Sequence, residues 1–443
     1  MLPKVVDLFS GCGGLTLGFE KAGFEIVAGI ELMPEACQTI SYNLDYRYNR
    51  EQTHLCADIT QTNPSVFKGK IDEEGCIVIG GPPCQAYSIA GKAKLRSLGE
   101  NRINTKDSRG YLYQDFLRFA YELDAKAVVM ENVPDSVNYG GMNIPEIVCE
   151  SLKKHGYSAF WTILNAADYG VPQVRERVFV LAIKQELGTD IELPQPTHKS
   201  VGNSKTINQK RFENLSNSPN FRTPCCSDNA VQNWVTVKEA FSDLPVLFPT
   251  SNSRYRLAKL NEEQEYRSDP QNEFQYTMRH WYEIESMGST ANAFRNNKRD
   301  FKIFERMKQG DDYRDASRIA DELFEEEVKV FGYKEGSPEY IRLHKKIVPV
   351  YDREKFDCKW LRLDENRPSH TLVAHLSKDT YSHIHPTEPR GISVREAARI
   401  QSFPDDFFFD CSMSDAFKQI GNAVPPLLAF SVASKIADAF RSK

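Results

Sequence analysis

The sequence predicts an α/β fold with a mainly parallel sheet and a second, smaller domain. The first part of the chain alternates short apolar runs with longer amphipathic segments, which is typical of parallel strands joined by helices on both faces of a sheet. After about residue 187 this alternation stops, and Asn, Ser, Thr and Pro become frequent. At 443 residues the chain is also long for one hydrophobic core, which favours two domains.

The predicted elements of the first part follow one another regularly. The strand-like runs are short and apolar, the helix-like segments have apolar residues at helical spacing, and glycines close two of the helices. The predicted strands are 4–9, 25–31, 76–79, 127–131, 159–164 and 177–183, and the predicted helices are 15–22, 34–43, 113–123 and 144–155. From residue 361 the pattern becomes regular again and predicts helices at 394–402 and 425–440.

Composition and charge argue against several classes of protein. The chain is 40% hydrophobic and 26% charged, and no segment approaches the length of a membrane span, so no membrane partner is expected. Its ten cysteines include no Cys-x-x-Cys pair, which argues against a disulfide scaffold and a zinc site. We therefore expect reduced thiols, a cytoplasmic location and no metal. The net charge of −5 does not indicate a nucleic-acid partner, although local charge matters more than the sum.

A thiol stands just after the end of one predicted strand. The strand 76–79 is followed by Gly-Gly-Pro-Pro, which cannot continue a ladder or start a helix, and then by Cys84. In open α/β sheets, ligands and catalytic groups gather at the carboxyl ends of the strands. Cys84 is therefore either a nucleophile or a quiet buried thiol, and this stretch alone leaves both interpretations open.

The turn after the first predicted strand favours a nucleoside-like ligand. Residues 7–15 place glycines between a strand and a helix, but they do not form the Gly-x-Gly-x-x-Gly fingerprint of NAD-binding proteins. Packing alone can also explain such a turn. Glu31 ends the second strand, where an acid can bind ribose hydroxyls, and Asp58 can accept a hydrogen bond from an adenine amino group. Two carboxylates with few phosphate-binding features suit a cationic adenosyl ligand, S-adenosylmethionine.

Charged groups near the other strand ends suit attack on a heterocycle. Glu131 emerges at the end of a strand and can protonate a ring that a thiolate attacks, although it can also be an ordinary capping acid. Arg175 and Arg177 point to the same side of an extended chain, where they can orient a base oxygen or a phosphate, or form a solvated strand edge. Residues 85–109 hold six basic and two acidic groups, which suits either a lid over a polyanion or an ordinary basic loop.

Taken together, these residues resemble the DNA (cytosine-5)-methyltransferase family over about residues 1–185 and 360–443. Tyr87 stands where the family more often has Phe, and His370 where Pro is common. The middle region matches no motif, as expected for the family's variable target-recognition domain. Six motifs of the family occur in the family's order, at residues 7–14, 81–85, 131–133, 173–177, 367–372 and 419–426.

The resemblance implies a Rossmann-like S-adenosylmethionine-dependent methyltransferase sheet with a smaller target-recognition domain. It assigns residues 1–187 to the first part of the catalytic domain, residues 188–358 to target recognition, and residues 359–443 to a return to the catalytic domain. Because the cofactor site would include a residue from the far end of the chain, the C-terminal helix should pack against the N-terminal half. The implied cofactor-binding residues are Phe9, Ser10, Gly11, Gly13, Gly14, Leu15, Glu31, Leu32, Asp58, Ile59, Pro83, Leu112, Asn422 and Ala423.

The resemblance also implies the chemistry and its residues. The target cytosine is flipped out of the duplex. Cys84 attacks C6, Glu131 protonates or hydrogen-bonds N3, and Arg175 holds the base oxygen, with Arg177 beside them. C5 then takes the methyl group from S-adenosylmethionine, S-adenosylhomocysteine is the product, and elimination restores the ring. DNA contacts are expected from Gln85, Ser88, Arg109 and Gln173. No motif assigns residues of the middle region, but the segment 188–358 should read the DNA site, with Arg279, His280, Arg295 or Arg299 on base edges or phosphates.

The sequence therefore predicts an enzyme that methylates cytosine C5 in double-stranded DNA. A prokaryotic or phage restriction-modification or defence setting is expected, with a cognate endonuclease acting separately and the methyltransferase acting as a monomer. One alternative is a tRNA methyltransferase on the same scaffold, which predicts activity on RNA. Another is an inactive adenosyl-binding or DNA-binding regulator, although the presence of Cys84, Glu131 and Arg175 argues against it. The missing fingerprint disfavours an NAD-dependent oxidoreductase.

Overall fold

The chain divides into two compact units. The computed structural model describes residues 1–83, 112–201, 212–247, 259–282, 285–295, 298–349, 359–376 and 381–442. The first unit comprises Met1–Trp234, Gln401–Phe403 and Ala423–Lys443, and the second comprises Val235–Ile400 and Pro404–Asn422. The predicted site residues that lie outside the described residues are Cys84, Gln85, Ser88, Arg109 and the side chain of Arg299.

Among the described residues, a seven-stranded sheet forms the centre of the first unit. Its strands are β1 (Lys4–Leu8), β2 (Ile26–Glu31), β3 (His54–Cys56), β4 (Cys76–Gly80), β5 (Ala127–Asn132), β6 (Tyr157–Asn165) and β7 (Glu176–Lys184). Their spatial order is β3-β2-β1-β4-β5-β7-β6. The pairs among β1 to β5 are parallel, whereas β7 is antiparallel to both neighbours. The predicted Rossmann-like α/β class is confirmed, and all six predicted strands are present.

The position of the site follows from this strand order. The chain first builds the sheet outward from β1 through β2 to β3, then returns to place β4 on the other side of β1. The crevice at such a switch point, outside the carboxyl ends of the strands, is where open α/β sheets bind ligands. The glycine-rich turn after β1 and the Gly-Pro segment after β4 both start at this edge.

The remaining regular elements are mostly helices. Two short strand pairs also occur, β8 (His198–Lys199) with β9 (Gln232–Asn233) and β10 (Gln264–Glu265) with β11 (Gly288–Ser289). In chain order, the α-helices of the described residues are α1 (Gly14–Lys21), α2 (Pro34–Leu44), α3 (Leu112–Glu122), α4 (Ile144–Lys154), α5 (Val237–Phe241), α6 (Glu273–Arg279), α7 (Lys298–Arg306), α8 (Tyr313–Phe331), α9 (Pro338–Ile347), α10 (Val394–Ile400), α11 (Met413–Asn422) and α12 (Pro426–Arg441).

Helices cover both faces of the sheet. Successive strand residues point to opposite faces, so Val6 belongs to a hydrophobic cluster that contains Phe116 of α3, whereas Val5 belongs to a second cluster that contains Leu428 of α12. At Gly18 of α1, an added Cβ atom would come within 2.4 Å of the Cβ atom of Ala429, so the two helices require a glycine there. The C-terminal helix therefore lies against the N-terminal half of the chain.

The stretch Met413–Arg441 is long and apolar enough to cross a membrane by length and composition alone. The prediction that no segment approaches that length is therefore wrong by this measure. The stretch consists of α11 and α12, which meet around Pro425, and α12 contributes buried residues to the core of the first unit. A buried core helix of this composition passes the same test as a membrane span.

The second unit has an aromatic core of its own. Phe304 packs edge-on against Trp360 and Tyr381, with ring centroids 5.2 and 4.9 Å away. Tyr313 of α8 also packs edge-on against Trp360, with ring centroids 6.0 Å apart. Residues 188–234 belong to the first unit, and residues 359–400 and 404–422 belong to the second. The compact units and the predicted functional division thus use different boundaries, and the assignment of target recognition to 188–358 stays a prediction.

Candidate active site

The turn after β1 is tight and depends on unusual backbone angles. Phe9, Gly11 and Gly13 have φ values of +60°, +58° and +94°, a region that L side chains rarely adopt. The Ser10 hydroxyl lies 3.1 Å from the Asp7 carbonyl oxygen and 3.2 Å from the Ile30 carbonyl oxygen, which ties the turn to β2. No atom lies within 4 Å of a Cβ atom added at Gly11, so the turn has open space on that side.

Glu31 joins the turn to the end of β2. One carboxylate oxygen accepts the backbone N–H of Gly11 at 2.8 Å, and the other accepts that of Met33 at 2.7 Å. The side chain of Leu32, next to it, is 61% exposed. A held carboxylate beside an exposed apolar side chain and an open turn fits the ribose and base of an adenosyl ligand.

The C-terminal segment presses against the same turn. A Cβ atom added at Gly14 would lie 2.2 Å from the carbonyl oxygen of Val424, so only glycine fits at this position. Leu15, the next residue, is buried in the same cluster as Val424. Val424 directly follows Ala423, a predicted cofactor-binding residue. The contact therefore places this part of the chain at the turn after β1. Asn422 is exposed and ends α11 in the second unit.

Asp7 is a buried acid at the end of β1. Its side chain accepts a hydrogen bond from the Thr16 hydroxyl of α1, while its other oxygen, Oδ1, is buried without a hydrogen-bond partner among the described residues. Burial, together with the nearby charge of Glu31, raises the pKa of Asp7 to about 7, although the Thr16 hydrogen bond opposes the shift. The Asp7 carboxyl group is therefore partly protonated near neutral pH.

The predicted adenine-side residues stand on a short turn after β3. Asp58 is exposed, and its Oδ1 accepts hydrogen bonds from the backbone and hydroxyl of Thr60 at 2.9 and 2.8 Å. Ile59 is buried in a cluster against which Phe9 and Leu112 also pack. Three hydrophobic residues of the predicted cofactor site, Phe9, Ile59 and Leu112, thus converge, and the Asp58 carboxylate remains accessible.

Arg118 holds this turn, and sequence reasoning missed it. Its guanidinium donates to the carbonyl oxygen of Ile59 at 2.8 Å and to that of Thr62 at 3.1 Å, and it pairs with Asp115 at 3.2 Å. Its spacing of three from Asp115 on α3 indicates only a helix-surface ion pair. Nothing in the local sequence points to the carbonyl oxygens more than 50 residues away.

The ends of β4 and β5 meet at the segment that leads toward Cys84. The side-chain amide of Asn132 donates to the carbonyl oxygen of Pro82 at 3.2 Å, and its Oδ1 accepts the N–H of Val133 at 2.9 Å. A Cβ atom added at Gly81 would lie 2.9 Å from Glu131 Oε2, so the carboxyl group reaches the backbone of the segment that leads to Cys84. Pro83, the last described residue before that segment continues, is half-buried. Asn132 therefore ties the end of β5 to the segment after β4. The sequence motif contains this residue but does not indicate that role.

Glu131 is buried and paired with one of the predicted arginines. Arg177 Nε lies 2.9 Å from Glu131 Oε1, and both side chains are 11% exposed. Burial raises the pKa of Glu131, while the charges of Arg177 and Arg175 lower it and so limit the shift. A buried carboxyl group with a raised pKa is suited to donate a proton or a hydrogen bond to a ring nitrogen.

Arg175 is buried and held by groups from distant parts of the chain. Its Nη2 donates to the carbonyl oxygen of Ala423 at 3.1 Å, and its Nη1 donates to Gln173 Oε1 at 3.4 Å. Gln173 is fully buried, and its Nε2 donates to Gln401 Oε1 at 2.6 Å. From this position Gln173 supports Arg175 and does not reach the surface, which differs from its predicted contact with DNA.

The predicted DNA-contacting arginines of the second unit have different environments. Arg279 is buried, donates to Asp243 from Nε at 3.0 Å and from Nη2 at 2.5 Å, and lies 3.5 Å from the ring centroid of Tyr266. These contacts give it a structural role and occupy the groups that would read a base. Arg295 is half-buried, with its guanidinium 5.6 Å from the ring centroid of Tyr381. Among the described residues, no group of three or more His, Cys, Asp or Glu side chains is arranged to hold a metal ion.

Comparisons with known proteins agree on one family. A family model described as C-5 cytosine-specific DNA methylase matches residues 3–438. A chain from Oceanobacillus iheyensis that carries a type II methyltransferase name, M.OihORF3336P, is 54% identical over 437 residues, which are 98% of this chain and 95% of that one. The type II methyltransferase M.AgeI of Thalassovita gelatinovora is 31% identical over 98% of this chain and 99% of its own length. A crystal structure described as a prophage-encoded DNA modification methyltransferase of Escherichia coli shares the fold, with a TM-score of 0.67 over 100% of both chains at 23% identity.

Proposed function

The chain belongs to the C-5 cytosine-specific DNA methylase family, and from this premise we propose a specific reaction. The protein transfers a methyl group from S-adenosylmethionine to C5 of a cytosine that is flipped out of a specific double-stranded DNA sequence. The observation that carries the proposal is the buried Glu131 carboxyl group beside Gly81, on the segment that leads to Cys84. A carboxyl group with a raised pKa can protonate or hydrogen-bond a pyrimidine ring that a thiolate attacks.

The described residues at the carboxyl edge of the sheet fit an adenosyl cofactor. Glu31 would bind the ribose, Asp58 and the exposed Leu32 would flank the adenine, and the open space at Gly11 would let the ligand approach the backbone. When bound, S-adenosylmethionine supplies an electrophilic methyl group. The absence of a Gly-x-Gly-x-x-Gly fingerprint agrees with a ligand that has no pyrophosphate.

The chain's own residues would perform the ring chemistry. The Cys84 thiolate forms a bond from Sγ to C6 of the cytosine, and Glu131 gives a proton or hydrogen bond to N3, so that electron density moves to C5. After C5 has taken the methyl group, the C5 proton passes to water, any proton given to N3 returns to Glu131, and breakage of the bond between Sγ and C6 restores the ring and the free thiolate. Arg177 holds the Glu131 carboxyl group in place through the 2.9 Å ion pair. Arg175 would hold the base oxygen.

The biological setting is proposed from the relatives. The two relatives from Oceanobacillus iheyensis and Thalassovita gelatinovora carry type II methyltransferase names, which supports a role in restriction-modification or defence. A cognate endonuclease would act on the same sequence, and the methyltransferase would act in the cytoplasm as a monomer. A methyltransferase that acts with an endonuclease must modify the sequence that the endonuclease cuts, so the proposal requires a defined recognition sequence.

Base-resolution mapping of 5-methylcytosine tests the proposal. The protein is expressed in a host without DNA methylation, and host DNA and RNA are both mapped. We expect 5-methylcytosine in DNA at one short sequence context, and none when the Cys84→Ala variant replaces the wild-type protein. Methylation of RNA with unmodified DNA would favour the tRNA methyltransferase alternative. Binding of S-adenosylhomocysteine without methylation of either would favour a regulator.

A further inference from the structure

Three buried side chains and one backbone carbonyl of the first unit form a closed ring of hydrogen bonds. Gln401 Oε1 accepts from Gln173 Nε2 at 2.6 Å, and Gln401 Nε2 donates to the Ala423 carbonyl oxygen at 2.5 Å. Arg175 closes the ring, because it donates to the same carbonyl oxygen at 3.1 Å and to Gln173 Oε1 at 3.4 Å. Each member of this four-residue ring contacts two others. The side chains of Gln173, Arg175 and Gln401 are at most 1% exposed.

The direction of every bond in the ring is fixed by the charge of Arg175. A guanidinium can only donate, so Gln173 must turn its oxygen toward Arg175 and its amide nitrogen toward Gln401. Gln401 must then accept with its oxygen, which leaves its own amide nitrogen to donate to Ala423. Only a side chain with one acceptor and one donor at this spacing completes the ring.

The ring joins two parts of the site that have different tasks. Arg175 belongs to the group proposed to handle the base, whereas Ala423 belongs to the segment proposed to hold the cofactor. Gln401 comes from neither. It starts the segment Gln401–Phe403, which belongs to the first unit although both of its flanking blocks, Val235–Ile400 and Pro404–Asn422, belong to the second.

We propose that Gln401 is a positioning residue that couples the base-handling Arg175 to the cofactor-handling segment at Ala423. This inference rests on the proposed function and extends it. Arg175 and Gln401 both donate to the Ala423 carbonyl oxygen, so a displacement of Arg175 or of the segment at Ala423 displaces the other through the ring. Loss of Gln401 should therefore weaken cofactor binding and slow the reaction of the base together. Loss of a residue that only stabilises the fold should lower stability without a specific effect on either.

The test compares Gln401→Glu with a control in the same segment. A glutamate keeps the size but cannot donate to Ala423, and it places a negative oxygen against the carbonyl. The control is Ser402→Ala, because the Ser402 hydroxyl accepts the backbone N–H of Leu427 at 3.2 Å and stands outside the ring. For each protein we measure the Kd for S-adenosylhomocysteine, the single-turnover rate on duplex DNA at saturating cofactor, and Tm.

We expect Gln401→Glu to weaken binding of S-adenosylhomocysteine and to slow single turnover, each by about tenfold or more. Ser402→Ala should change Tm at most. If Gln401→Glu does not fold, Gln401→Met, which removes both bonds without adding charge, is measured in the same way. The double variant Gln173→Met/Gln401→Met should cost little more than Gln401→Met alone, since both break one ring.

The inference is overturned if Gln401→Glu and Gln401→Met alter Tm only, or if they affect cofactor binding while single turnover at saturation remains within about twofold of the wild type. Failure of the proposed function would give a different result, because the wild-type protein itself would then not methylate duplex DNA. The inference, which rests on that function, would then be wrong as well.

Discussion

Buried carboxyl groups have opposite properties in the two units. In the first unit, burial raises the pKa of Asp7 to about 7 and also raises that of Glu131. In the second unit, burial alone would have the same effect on Glu396 and Asp405, but arginines reverse it. The charges of Arg390 and its hydrogen bonds to Glu396 lower the pKa of that carboxyl group to about 2.

The difference lies in how completely the charges are neutralised. Glu396 accepts two hydrogen bonds from Arg390, at 2.8 and 2.7 Å, and one from the backbone of Ser393 at 2.7 Å. Asp7 has one buried oxygen with no hydrogen-bond partner in the described chain, and Glu131 has a single ion pair with Arg177. A fully paired buried acid is held as an anion, whereas burial raises the pKa of a partly paired one.

Arg399 is the centre of a buried paired network in the second unit. Its guanidinium donates to both oxygens of Asp243, at 2.7 and 3.1 Å, and to both oxygens of Asp405, at 2.7 and 2.5 Å. All three side chains are essentially unexposed. The comparison therefore separates acids that can take part in proton transfer from acids that hold the fold.

Replacing Glu131 by Gln should produce the largest effect on activity, because an amide of the same shape cannot supply a proton. We expect the single-turnover rate on duplex DNA to fall about 100-fold or more, while the Kd for S-adenosylhomocysteine changes little. Glu122→Gln, at the exposed end of α3, is the matched control and should retain the wild-type rate. An unchanged rate in Glu131→Gln would refute its role as the acid.

Replacing Arg399 by Met should produce the next largest effect, and it should appear in stability. Removal of the shared cation leaves Asp243 and Asp405 buried with fewer partners, which typically costs about 3–5 kcal/mol. The free energy of unfolding from urea titration measures the loss. Arg318→Met removes an exposed arginine that pairs with Glu322 on α8 and should leave that free energy unchanged. Equal effects of the two variants would show that the buried network does not support the fold.

Replacing Asp7 by Asn should change how stability depends on pH. The unfolded chain releases the Asp7 proton near pH 3.8, whereas the folded chain retains it until about pH 7. The contribution of Asp7 to stability is therefore complete below about pH 4 and is lost as the pH rises toward 7. The stability difference between the wild type and Asp7→Asn should thus fall between pH 4 and 8, by about 4 kcal/mol at most. Urea titrations at both pH values measure it, and a constant difference would contradict the raised pKa.

Local sequence patterns were sufficient to predict the main strands and helices and the sheet edge at which the predicted site residues gather. The run 127–131 predicted a strand that ends at Glu131, and β5 ends one residue later. The glycines of residues 11–14 predicted a turn that either admits a ligand or is required by packing, and at Gly14 packing against the Val424 carbonyl oxygen requires the glycine. Such predictions succeed because a strand's period, a glycine turn and the carboxyl edge of a parallel sheet are set by neighbouring residues.

Contacts between distant residues could not be predicted in the same way. Gln401 meets Gln173 across 228 positions, and each of these residues by itself is an ordinary polar side chain. Arg279 was predicted to contact DNA because it is an arginine in a polar region, but Asp243 and Tyr266 give it a buried structural role. Whether an arginine meets a carboxylate or solvent depends on packing that no local pattern encodes.

The sequence by itself determined the α/β class, the order of the strands along the chain and the family of the protein, because each depends on local periodicity or on motifs whose residues are neighbours. Only the tertiary structure decided which buried acids are paired. Asp7 lies in a predicted strand and Glu396 in a predicted helix, and neither pattern shows its partner; their pKa values of about 7 and about 2 differ because Arg390 lies beside Glu396. Charge pairing acts over a few ångströms in space, and folding alone brings such groups together.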